Sequence, residues 1–123
     1  MEEVYSIGMT NRESRKADVL QGTLDLMILQ TLNLLGPSHG YTIASRLEQV
    51  SGGSLRVNMG TLYPGLMRLE QQGLVKGEWD ITDNNRRARF YSITAAGRRK
   101  LAAYKADWDH MVSIMHALFR AQG

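Results

Sequence analysis

No cysteine occurs among the 123 residues. Disulfides, thiolate-held zinc or iron–sulfur centres and a cysteine nucleophile are therefore excluded, a usage that suits a reducing, cytoplasmic setting. No apolar run approaches the ~18 residues that a membrane helix needs, so no membrane partner is expected. The opening MEEVYSIGMTNRESRK lacks the apolar stretch of a secretory signal, and residues 1–18 read as a flexible polar arm. The three histidines are scattered, and no glycine-rich phosphate loop follows a strand. Neither a metal, a cofactor nor a catalytic residue is expected, and an enzyme is the poorest reading of the chain.

An excess of charge of one sign is also lacking overall, with a net of only +3. Its distribution is uneven. Residues 1–53 hold four Arg/Lys against six Asp/Glu, whereas residues 54–123 hold eleven against six. Over residues 86–100 there are six basic side chains (Arg86, Arg87, Arg89, Arg98, Arg99, Lys100) and no acid. A local block of that kind can neutralise phosphates in a nearly balanced protein, although such runs also occur as plain solvated faces.

The length suits one small domain with an appended element. In LQGTLDLMILQTLNLL (residues 20–35), Leu20, Leu24, Met27, Ile28, Leu32 and Leu35 fall at helical spacing, and Gly36 and Pro37 stop the helix. It is apolar almost all round, as a central helix should be. Ser38 opens a second helix that turns Tyr41, Ile43, Ala44, Leu47 and Val50 inward. His39 beside its start suits capping or packing. Leu55, Arg56 and Val57 form a stub strand expected to pair with a later hairpin.

A third helix follows, with Leu62, Leu66 and Leu69 on one face and Gly60, Pro64, Met67 and Gln71 opposite, flanked by Thr61 and Arg68. Gly60 and Pro64 keep its first turns low enough to approach a groove, and the free N–H groups there favour a phosphate. Base reading rests on few groups, Thr61, Arg68 and Gln71, which leaves a share for DNA shape. Val75, Gly77, Trp79 and Ile81 then alternate with Lys76, Glu78 and Asp80, as in a strand with one buried face. Asp83, Asn84 and Asn85 make a turn, and the returning strand carries Arg86, Arg87 and Arg89 at the tip and base of the hairpin. Arginines placed there can enter a minor groove or clamp the backbone, or merely guard an exposed edge. From Thr94, a good N-cap, one helix spans residues 95–120. Leu101, Tyr104, Trp108, Met111, Met115 and Leu118 recur along it at alternating spacings of three and four, the seam of a helix that pairs with another.

Five segments together carry a resemblance: LQGTLDLMILQTL, HGYTIASRL, NMGTLYPGLMRLEQQGLV, NNRRARFYSIT and AAGRRKL. Over about residues 20–101 the chain resembles the PadR family of bacterial transcriptional regulators, and GTLYPGLMRLEQQGLV is the most specific part of the match. The resemblance implies a mainly α fold with a small β-hairpin. Residues 19–93 would be a winged helix-turn-helix, and residues 94–123 a long C-terminal dimerisation helix of the smaller subgroup. It implies a homodimeric repressor on a palindromic operator in double-stranded DNA, with Tyr63 at the DNA-facing start of the recognition helix. Asn58, Gly60, Thr61, Tyr63, Pro64, Arg68, Arg86, Arg87 and Arg89 form the expected DNA-facing set. Relief by a small apolar or aromatic ligand is a further implication, since members of the family answer to phenolic acids, drugs and other small aromatics. The competing reading is a winged helix used for protein contact, its basic wing facing an acidic partner.

Overall fold

A computed structural model describes the backbone of residues 5–7 and 11–121, and side chains from residue 23 to residue 121. The elements run β1 (Tyr5–Ile7), α1 (Asn11–Leu35), β2 (Ser38–His39), α2 (Gly40–Val50), β3 (Leu55–Val57), α3 (Met59–Gln71), β4 (Val75–Ile81), β5 (Arg87–Ile93) and α4 (Ala95–Arg120). The first helix starts at Asn11, nine residues before its apolar pattern does. Part of the segment read as a flexible arm is therefore helical backbone, and Tyr5–Ile7 is a strand. The side chain of Leu20 lies outside the described residues.

The core forms where α1, α2, α3 and the base of the hairpin meet. Leu24, Ile28, Leu29 and Leu32 of α1 are buried against Ile43 and Leu47 of α2 and Leu62, Leu66 and Leu69 of α3. Each such side chain contributes roughly 2 kcal/mol relative to exposure, so the three leucines of α3 fix its rotation firmly. Leu34 and Leu35 are exposed, so α1 is less completely covered than its all-round apolarity suggests. Tyr41 and Val50 also differ from expectation. They lie 66% and 71% exposed at the two ends of α2, because only Gly40, Ile43, Ala44 and Leu47 face the core.

Strand pairing corrects the sequence reading at one point. β3 pairs in parallel with β1, not with the hairpin, and the strand that joins the hairpin is β2, with Ser38 opposite Tyr91 and His39 opposite Phe90. The resulting order is β2-β5-β4, so β4 is an edge. Within the hairpin Val75 pairs with Ile93, Gly77 with Tyr91, Trp79 with Arg89 and Ile81 with Arg87. Its turn closes with the Thr82 N–H donating to the Arg86 carbonyl at 2.7 Å. Asn85 takes the left-handed φ of 59° that Asn tolerates.

Thr94 caps α4 as expected, its hydroxyl accepting from the Gly97 N–H at 2.9 Å and donating to the Gly73 carbonyl at 2.7 Å. Gly97 sits against the Leu74 carbonyl oxygen, where a Cβ would overlap it. That close approach seats the first turns of α4 on the domain. Leu101 is buried in the core of its own chain and Tyr104 packs half-buried beside it. The rest of the helix runs on past the domain.

Candidate nucleic-acid interface

The exposed start of α3 and the hairpin define one groove. Asn58 caps α3, its Oδ1 accepting from the Thr61 N–H at 2.9 Å. Pro64 has no N–H to give the Gly60 carbonyl, and Gly60 adds no side chain, so the opening turns are thin. The Tyr63 ring rests on the Gly40 backbone, where a Cβ would come within 3.1 Å of it. At 38% exposure, Tyr63 belongs to the surface and is braced from behind.

Across the groove stands the hairpin. Alternation puts Gly77, Trp79 and Ile81 of β4 on one face with Arg87, Arg89 and Tyr91 of β5. Only the base of that face is buried. Val75 and Tyr91 are core, while Trp79 and Ile81 are 57% and 61% exposed. The expected buried strand face is thus an open platform, because a seven-residue strand outruns the small core beneath it. The Arg87 guanidinium lies 4.8 Å from the Trp79 ring centroid and that of Arg89 lies 5.8 Å from it, a cation–π arrangement that pre-orients both. The opposite face carries Lys76, Glu78 and Asp80 with Phe90, whose ring meets His39 edge-on at 5.4 Å. His39 therefore packs, and its side chain caps nothing. Acid on one face and arginine on the other leave a single side of the wing fit for phosphate.

The groove has a volume of about 650 Å³ and is lined by Tyr41, Tyr63, Trp79, Arg86, Arg87 and Arg89 among others. Four sequence-expected residues line it, Tyr63, Arg86, Arg87 and Arg89, whereas Asn58, Gly60, Thr61, Pro64 and Arg68 belong to α3 and its cap outside the lining. Two arginines are already engaged. Arg68 Nη2 lies 3.3 Å from the Asp25 carboxylate on α1. Burial pushes that carboxyl above its usual range, while Arg68 pulls it down. Arg89 Nη2 donates to Glu70 Oε2 at 2.6 Å. Among the described residues no carboxylate pairs with Arg86 or Arg87. Tyr41 and Trp79 were not foreseen at this surface. Their periodicity matched a buried face, and only the reach of the core beneath them distinguishes the two cases.

Beyond Tyr104, α4 exposes Trp108, Met111, Met115 and Leu118, and with them Ile114 and Phe119, which the seam pattern omitted. A second apolar feature lies at its root. A cleft of about 450 Å³ between α1, α2 and α4 is lined by Met27, Leu34, Leu35, Val50, Leu55 and Leu101. No helix among the described residues is long and apolar enough to cross a membrane.

Residues 28–103 match the Transcriptional regulator PadR-like family. Transcriptional regulator Rv3488 of Mycobacterium tuberculosis is 44% identical over 54 residues, 44% of this chain and 50% of that protein. An uncharacterised 37.1 kDa protein in transposon TN4556 of Streptomyces fradiae is 42% identical over 66 residues, 54% of this chain and 17% of that protein. The chain thus spans half or less of the length of these curated relatives. Among solved structures, a PadR family transcriptional regulator from Eggerthella lenta superposes with a TM-score of 0.73 at 28% identity, covering 90% of this chain and 94% of that one. A PadR-like transcription factor from Bacteroides fragilis gives 0.70 at 26% identity, covering 85% and 98%.

Proposed function

The chain belongs to the PadR-like family of transcriptional regulators, DNA-binding proteins and not enzymes, and we propose that it acts as a homodimeric repressor on a palindromic operator. The observation that carries this reading is the one-sided wing, with Trp79 and Arg87 stacked on the same face as the groove and the acids turned away. The start of α3, with Asn58, Gly60, Thr61, Tyr63 and Pro64, would lie in or over the major groove. Arg86 and Arg87 would then meet the backbone or the neighbouring minor groove. Arg68, tied to Asp25 at the rim of the helix, fixes α3 against α1 and keeps part of its guanidinium at the surface.

Dimerisation would use the far half of α4. Six large apolar side chains between Trp108 and Phe119 are 41–64% exposed in the single chain, a load that a partner helix would bury. Two-fold pairing there would make the operator palindromic, and the separation of the two wings would set the spacing of its half-sites. The apolar cleft at the root of α4 has the size of a small-molecule site, and an aromatic ligand there would act on the angle between α4 and the DNA-binding unit. Fluorescence anisotropy with duplex DNA from upstream of the gene, against a scrambled duplex, tests the assignment. Tight, salt-dependent preference for the first is the expected result. Equal weak binding to both would reduce the domain to a basic scaffold for protein contact.

A further inference from the structure

The ion pair between α3 and β5 joins the two halves of the groove, and its surroundings show what it does. Glu70 Oε2 accepts from Arg89 Nη2 at 2.6 Å and also from the Gly77 N–H at 3.2 Å. Gly77 belongs to the edge strand, whose outward N–H groups have no strand partner, so one carboxylate holds both strands of the hairpin against α3. The path of the Arg89 side chain runs directly over Gly77, where a Cβ would come within 2.6 Å of Nε. The guanidinium then lies 5.9 Å from the Tyr91 ring centroid and 5.8 Å from that of Trp79. Only glycine at 77 leaves that route open. Both partners are about two-thirds covered, at 31% and 32% side-chain exposure.

We propose that Glu70 and Arg89 form the strut that sets the angle of the wing to the recognition helix, so that Arg89 is a positioning residue and phosphate contact falls to Arg86 and Arg87. This rests on the DNA-binding reading above. A guanidinium whose Nη2 is held in a charge-assisted bond, flanked by two rings and threaded over a glycine, has its position set by these contacts and would have to loosen them to turn fully toward a phosphate. Arg87, one register step outward, is stacked on the same indole, has no carboxylate partner among the described residues and needs no such exchange.

Removing Glu70 separates the two roles by sign. If Arg89 were a phosphate contact, Glu70→Ala would free it and delete a repulsive charge, and DNA affinity would rise. A strut predicts the reverse, a fall of roughly tenfold in operator affinity. Charge exchange gives the second arm. Arg89→Glu alone should weaken binding, and Glu70→Arg with Arg89→Glu should recover most of it with the wild-type slope of log K against log salt. Failure to recover, with the slope lowered by about 0.9 as when a single phosphate ligand is removed, would overturn the proposal. The free protein gives a readout that needs no DNA. Hydrogen exchange of the hairpin amides over residues 79–87 should accelerate severalfold in Glu70→Ala while the α1 amides stay protected. Unchanged hairpin exchange would overturn the strut even if the wild-type protein bound no duplex, whereas DNA binding by the wild type with unchanged exchange would sink the strut alone.

Discussion

Replacing Arg86 and Arg87 together by alanine tests the wing most directly. Neither guanidinium has a carboxylate partner among the described residues, so their removal strands no buried charge. Arg87 also leaves Trp79, already 57% exposed, with Arg89 still beside it, so the fold should persist. Every phosphate that is no longer neutralised takes about 0.9 from the slope of log K against log salt, and the pair should flatten it by one to two units. Between 50 and 200 mM salt that difference amounts to roughly a twelvefold smaller loss of affinity if both arginines reach phosphates. Anisotropy titrations at four or five salt concentrations measure it, with circular dichroism confirming the fold. Because phosphate contacts are blind to base identity, operator and scrambled duplex should weaken by similar factors. A slope unchanged within error would remove the wing from the interface.

Trp108→Asp should yield monomers by light scattering. Its side chain is 47% exposed in the single chain, so the charge is tolerable there and becomes costly only on pairing. A variant that stays dimeric would place the dimer seam elsewhere. Tyr63→Ala should lower operator affinity and leave both dimer and melting temperature nearly unchanged, since the residue is 38% exposed and its ring rests on Gly40. Collapse of the fold would make Tyr63 core instead. Asp25 gives a pH test. Burial raises its folded-state pKa above the usual 3.8, so the ionised form costs stability. That cost is present above the folded pKa and is relieved as acid protonates the group. Asp25→Asn, which keeps an acceptor for Arg68, should therefore gain on wild type at pH 7 in urea unfolding, and the gain should shrink as pH falls toward 3.8. A gap that widened with acid would reverse the assignment.

Much of the architecture was legible in local pattern. The spacing of Leu62, Leu66 and Leu69 gave the inward face of α3. Thr94 marked the start of α4, and Asp83 to Asn85 marked the turn of the wing. These follow from periods of 3.6 and 2 and from capping and turn chemistry, which act within a few residues. The arginine block and the GTLYPGLMRLEQQGLV segment likewise pointed to DNA without any long-range information.

Other features depended on what lies across the fold. Alternation assigned Trp79 and Ile81 to a buried face, yet burial is decided by how far the core extends beneath a strand, and here it ends near Val75 and Tyr91. Tyr41 and Val50 failed for the same reason at the ends of α2. Pairing of β2 with β5 and of β3 with β1 joins residues far apart in the chain, and a two- or three-residue strand carries too little pattern to name its partner. Above all, five arginines between Arg56 and Arg89 look alike in one dimension. Only the tertiary structure places Asp25 beside Arg68 and Glu70 beside Arg89, and leaves Arg86 and Arg87 facing the groove, because the field at a guanidinium is set by carboxylates 43 and 19 residues away.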